Sequence, residues 1–179
     1  MSRIASCAPV FIKRVTRNWK HRNTSVSPAR CPHELLECLC TLEPDAGVLD
    51  LGCGAGNLRA ALRSRGWTGH FVGVDISGHA IEAAETSKDN NAEWHVSAIE
   101  DFQIAGQKVG AICLCESIYY AKPGAVRALL ARRRQSLVPG GRIVIRIWNA
   151  DLHSEYIAVL VGLGAQSSPP IYVLNEGPN

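Results

Sequence analysis

The chain has 179 residues, the length of one compact domain with a short appendage, which leaves no room for two full catalytic domains. Hydrophobic residues make up 46% and charged residues 20%, with a mean hydropathy of +0.00, a balance that excludes disordered and fibrous classes and provides for a packed core. The net charge of +3 hides an asymmetry: residues 1–33 hold seven of the 19 Lys and Arg and no acidic residue, so the chain after them is net acidic.

The basic stretch 1–32 is read as an N-terminal arm. Val10, Phe11, Val15 and Trp19 fall close to helical spacing, which favours a helix lying as a lid over a ligand pocket; organelle targeting and phosphate contact are the alternatives. Arg3, Ser6 and Pro9 interrupt the apolar pieces before residue 13, so no secretory signal is expected. The longest run free of polar side chains, Tyr156 to Ala165, is well short of the ~18 residues a membrane-spanning helix needs. Seven cysteines include two C-x-C pairs and no C-x-x-C, which points to reduced, small hydrophobes in a cytoplasmic setting and to no metal site.

In chain order, Leu35, Leu36, Leu39 and Leu42 predict a helix over His33–Leu42, where the body of the domain, 33–174, begins. Val48–Leu51 reads as a strand, followed by a glycine-rich turn and a helix over Leu58–Arg65. The pattern repeats with a strand at Phe71–Asp75, a helix at Gly78–Lys88 and a short strand at Trp94–Val96. Val109–Cys115 is apolar throughout, as a strand buried on both faces is. A helix at Ala125–Leu137 carries Arg132, Arg133 and Arg134 in one turn, read as a solvated face; Pro139-Gly140-Gly141 breaks it before a strand over Arg142–Trp148. A helix at Glu155–Leu163, a last strand near Ile171–Leu174 and a loose tail at 175–179 complete the chain. Strands separated by single helices imply right-handed crossovers, hence an α/β doubly wound domain with a parallel sheet.

In such a sheet the first strand–loop–helix turn lines the ligand crevice. Here it runs Asp50-Leu51-Gly52-Cys53-Gly54-Ala55-Gly56-Asn57, and Asp75 closes the second strand where a carboxylate can accept both hydroxyls of a ribose, so the ligand is read as a nucleoside. A dinucleotide fingerprint counted from Gly52 requires glycine at position 57, which is Asn57. Asp50 would moreover sit beside a pyrophosphate, whereas beside a cationic ligand its charge is favourable. A nicotinamide-dependent oxidoreductase is therefore the weaker alternative.

With VLDLGCGAGNL, VGVDIS, CESIYY and LVPGGRIVIRIW in this order, the sequence resembles class I S-adenosylmethionine-dependent methyltransferases over about residues 33–174, and more softly the NodS-like enzymes that act on small molecules. The resemblance implies a Rossmann-like α/β/α sandwich of three layers, with a mostly parallel sheet of about seven strands and a reversed last strand. It implies S-adenosylmethionine as cofactor, its methionyl end held by Asp50 and the loop Gly52, Cys53, Gly54, Gly56 and Asn57, its ribose by Asp75. Ile76 would pack on the adenine, with Ala98, Ile99 and Cys115 completing the site. Ala98 stands where the family often places an acidic residue, so the backbone of Ile99 or the side chain of Glu100 takes over that contact.

Methyl transfer needs an in-line nucleophile and exclusion of water, with a base only for a protonated acceptor. Glu116, Tyr119 and His153, at the carboxyl ends of the fourth and fifth strands, are the candidate catalytic residues; Trp19, Tyr120 and Asn149 are the candidate acceptor contacts. The chain lacks the N-P-P-Y or D-P-P-Y signature of exocyclic-amine methylation on nucleic acids, and its arm lacks interleaved aromatics, so a small-molecule acceptor is expected ahead of RNA. A methyltransferase-like binding subunit that grips RNA or a partner protein is the reading from another class.

Overall fold

The apolar runs of the sequence bury both faces of one seven-stranded sheet in the computed structural model, which describes residues 27, 31–39, 41–168 and 171–175. The elements are α1 (His33–Leu39), β1 (Val48–Leu51), α2 (Asn57–Ser64), β2 (Phe71–Asp75), α3 (Gly78–Glu85), β3 (Ala92–Val96) and β4 (Val109–Cys115). A 3-10 turn (Ile118–Tyr120), α4 (Pro123–Arg134), β5 (Leu137–Arg146), α5 (Ser154–Val161), β6 (Gln166–Ser168) and β7 (Ile171–Asn175) follow.

The strand order is β3-β2-β1-β4-β5-β7-β6. Strands β1 to β5 pair in parallel, whereas β7 runs antiparallel to both β5 and β6, so the last strand is the reversed one. The order switches between β1 and β2 on one side and β1 and β4 on the other, which opens a crevice at their carboxyl ends. Two apolar layers flank the sheet. Leu49, Leu51, Ile112, Leu114, Ile143, Ile145 and Ile147 point to the side covered by α4 and α5 through Leu129, Leu130, Tyr156 and Leu160. Val48, Phe71, Ala111, Cys113 and Val144 point to the other, covered by α1 and α2 through Leu35, Leu39, Leu58 and Leu62. The alternation of Ile143, Ile145 and Ile147 against Val144 is thus a strand sandwiched between two helical layers.

Four expectations need correction. Pro139, Gly140 and Gly141 lie inside β5, where a shift of register between Val109 and Ala111 absorbs them, rather than separating helix from strand. The three-residue strand β6 is too short and polar to leave a periodic signal. Asn175 pairs with Arg142 in β7, so the strand takes the first residue assigned to the tail. Arg133 is not on a solvated face: at 2% exposure it is buried, and its guanidinium donates to the carbonyls of Ile99 and Phe102, both at 2.7 Å. The loop after β3 offers unpaired carbonyls there, and they draw the middle arginine inward. The readings placed on residues 1–26, Trp19 among them, lie outside the described residues. Among the described residues no helix is long and apolar enough to cross a membrane.

Candidate active site

Five strand ends supply the site. At the end of β1, Asp50 is 3% exposed and its Oδ1 has no hydrogen-bond partner. Burial first, and then the charge of Asp75, pushes its carboxyl up to about 7. The turn that follows reverses direction in minimal space. Gly52 has φ +90°, and a Cβ on it would strike the side chain of Ser117; Gly56 has φ +82°, and a Cβ there would lie 2.6 Å from the ring of Trp94. Only glycine meets both demands, positive φ and close approach.

Asp75, at the end of β2, ties this turn to the next. Its Oδ2 accepts the Gly54 N–H at 2.9 Å and its Oδ1 accepts the Ser77 N–H at 2.8 Å. Its carboxyl is pushed up by burial, an effect opposed by those backbone donors. Each oxygen retains a lone pair for a further donor, such as a ribose hydroxyl. Ile76 is 40% exposed beside it, a bare apolar face at the crevice. Ala98 and Ile99 follow β3; the Ala98 carbonyl accepts from Asp101 and Phe102, and Ile99 is buried. Cys53 is buried in the turn, and Cys115 ends β4 with its thiol pushed up to about 12 by burial, so it is an inert wall and not a nucleophile. The side chain of Asn57 faces the incoming chain, its Oδ1 accepting the Ser27 N–H at 2.9 Å.

The acceptor side is built after β4 and β5. Glu116 has φ +58°, and its carboxylate takes three donors: the Arg146 guanidinium, the Tyr119 hydroxyl at 2.6 Å and the Trp148 N–H at 3.1 Å. Tyr119 stacks on His153, ring centroids 4.2 Å apart and planes 11° from parallel, and meets Tyr120 edge-on. Tyr120 is 40% exposed, and burial first, then the charges of Asp75 and Glu116, push its hydroxyl up. Asn149 is exposed, and its Oδ1 accepts the Leu152 N–H at 3.1 Å, closing the turn that leads to His153. The fold therefore gathers Glu116, Tyr119, Tyr120 and His153, and gives Asn149 a loop-shaping bond. Sequence reasoning missed Arg146. Its signal, a basic residue in an otherwise apolar strand, becomes meaningful only once the pairing of Cys115 with Arg146 is known.

The donor set suits a cation-bearing nucleoside. A buried carboxylate oxygen without a partner, with a second carboxylate beside the same turn, attracts positive charge and repels a pyrophosphate.

Comparison with known proteins gives the family and the fold likeness. A family described as a methyltransferase domain matches residues 48–141. A ribosomal protein L11 methyltransferase of Dechloromonas aromatica is 32% identical over 124 residues, which cover 68% of this chain and 38% of that protein. One of Methylobacillus flagellatus is 47% identical over 51 residues, 28% of this chain and 17% of that protein. The chain therefore spans well under half the length of the curated relatives it matches. Among solved structures, the N-methyltransferase NodS of Bradyrhizobium japonicum in complex with S-adenosylhomocysteine has a TM-score of 0.65 at 17% identity, over 81% of this chain and 85% of that one, a likeness of fold.

Proposed function

The chain belongs to the methyltransferase domain family, and on that premise we propose that it transfers a methyl group from S-adenosylmethionine to a nitrogen or oxygen atom of a small-molecule acceptor. The observation that carries the reading is the pair Asp50 and Asp75 around one glycine turn, the first with an unpaired buried oxygen and the second with lone pairs left for a diol. S-adenosylmethionine, when bound, supplies an electrophilic methyl carbon on a sulfonium. Asp75 accepts the ribose hydroxyls, Asp50 provides countercharge, and the glycine turn brings backbone N–H groups close. Tyr119, Tyr120 and His153 wall the acceptor side, orient the nucleophile and exclude water. The ring nitrogens of His153 are free of hydrogen bonds among the described residues, so His153 is the group able to take a proton from an ammonium or hydroxyl acceptor.

A protein amine is the second reading, favoured by the name carried by both curated relatives. The test is calorimetric titration of S-adenosylhomocysteine and of NADH into the wild type and Asp75→Ala. Radiolabel transfer from S-adenosylmethionine to a panel of amines and phenols, and to ribosomal protein L11, follows. Saturable binding of S-adenosylhomocysteine alone, weakened at least tenfold by the substitution, is expected, about 1.4 kcal/mol or more. Binding of neither nucleotide overturns the reading. Binding without transfer to any acceptor would support the accessory subunit.

A further inference from the structure

We propose that Glu116 and Arg146 are a positioning pair: they hold Tyr119 against His153 and so set the acceptor wall, and Glu116 is not the group that takes the acceptor's proton. The inference rests on the methyltransferase reading of the site. Three observations carry it. The first is saturation of the carboxylate: a guanidinium, a hydroxyl and a backbone N–H all donate to it, from β5, the 3-10 turn and the segment after β5. A carboxylate bound by a guanidinium, a hydroxyl and a backbone N–H from three segments is held in one place and orientation, with its oxygens taken up by protein donors.

The second is backbone conformation. Glu116 is one of two non-glycine residues among those described with positive φ, a conformation that stays only where the surroundings hold it. Its N–H donates to the Arg146 carbonyl at 3.1 Å, so the two residues are joined through backbone and side chain alike. The side chain of Arg146 is 12% exposed and lies over the ring of Trp148, with its Nε buried and unpartnered, which leaves the Glu116 bond to fix the guanidinium.

The third is where the constraint ends. The Tyr119 hydroxyl is spent on Glu116, its ring lies flat on His153, and His153 leads directly into α5, which packs Tyr156 edge-on against both rings. Fixing the carboxylate therefore fixes the phenol, and fixing the phenol fixes the imidazole.

The test uses the full chain, labelled with nitrogen-15, and the proton resonances of the His153 ring, assigned with His153→Gln. A ring stacked on a tyrosine is shifted upfield by its ring current. Glu116→Gln, Arg146→Met and Tyr119→Phe are each expected to lose that shift, and Arg146→Lys, which keeps a cation at the carboxylate, to retain most of it. S-adenosylhomocysteine affinity is expected to stay within about threefold in all four. Tyr119→Phe removes one oxygen and keeps the ring, so it decides the matter even if Glu116→Gln fails to fold. An unchanged His153 shift in Tyr119→Phe overturns the proposal, as does loss of S-adenosylhomocysteine binding together with the shift, which would make the pair a support of the whole sheet edge. Failure of the wild type to bind S-adenosylhomocysteine strikes the methyltransferase reading alone, and the resonance shifts still decide whether the pair positions the rings.

Discussion

At Glu116 a side chain suited to acid–base chemistry is instead surrounded by donors, and the free imidazole stands one stacked ring away. This separation of roles has a kinetic signature. With an amine acceptor, His153→Gln should lower kcat by about 100- to 10,000-fold, the scale of a lost general base. Glu116→Gln should lower kcat by about 10- to 100-fold, the scale of misplacement effects, and both substitutions should leave KM for S-adenosylmethionine nearly unchanged. Steady-state rates of the two variants check both. A loss in Glu116→Gln as large as that in His153→Gln would return the proton to the carboxylate.

At the scale of elements, the strands were the most legible part of the sequence. Val48–Leu51, Phe71–Asp75 and Val109–Cys115 have the bounds their apolar runs predict, because buried parallel strands are continuous in hydrophobicity and a glycine or a charged residue follows or closes each of them. The glycine turn after β1 was legible for a related reason: positive φ and close packing leave glycine no substitute, so the constraint is written in the residues themselves. Arg146 and Arg133 were not legible. Each acquires meaning from a partner about 30 residues away, and local periodicity carries no information about such pairing. Arg133 yields a prediction at this scale. It bolts α4 to the loop after β3 by two charge-assisted bonds, so Arg133→Met should cost roughly 2–4 kcal/mol by orphaning both carbonyls. The exposed neighbour makes the control: Arg132 donates to the Glu100 carbonyl of the same loop, but at an exposed position where water can replace it, so Arg132→Met should cost less than about 0.5 kcal/mol. Urea unfolding of the two variants measures the difference, and equal midpoints would mean that water satisfies the carbonyls as well as Arg133 does.

For the whole molecule, the cost of keeping Asp50 in the sheet links stability, pH and ligand. Its carboxyl has an ordinary value of 3.8 and is pushed up to about 7 by burial and by Asp75, so the folded protein favours the protonated form. The contribution to stability is present in full below the unfolded value and is lost as pH rises through about 7, a few kcal/mol at most. The thiols whose burial leaves them sensitive to Asp50 do not blur this window: burial pushes Cys31 and Cys115 up to about 12, and Cys53 and Cys113 upward as well. The free protein should therefore have a lower Tm at pH 8 than at pH 5 on account of this group. Asp50→Asn should raise Tm most at pH 8, by a smaller amount at pH 5, and leave it nearly unchanged only below the unfolded value of 3.8. A cation at the turn favours the ionised carboxylate, so S-adenosylmethionine should displace a proton on binding between about pH 5 and pH 7 in the wild type and not in Asp50→Asn. Calorimetry in two buffers of different ionisation enthalpy counts that proton. If none is released by the wild type, the positive charge of the ligand lies away from Asp50, and its unpaired oxygen serves the fold of the turn rather than the cofactor.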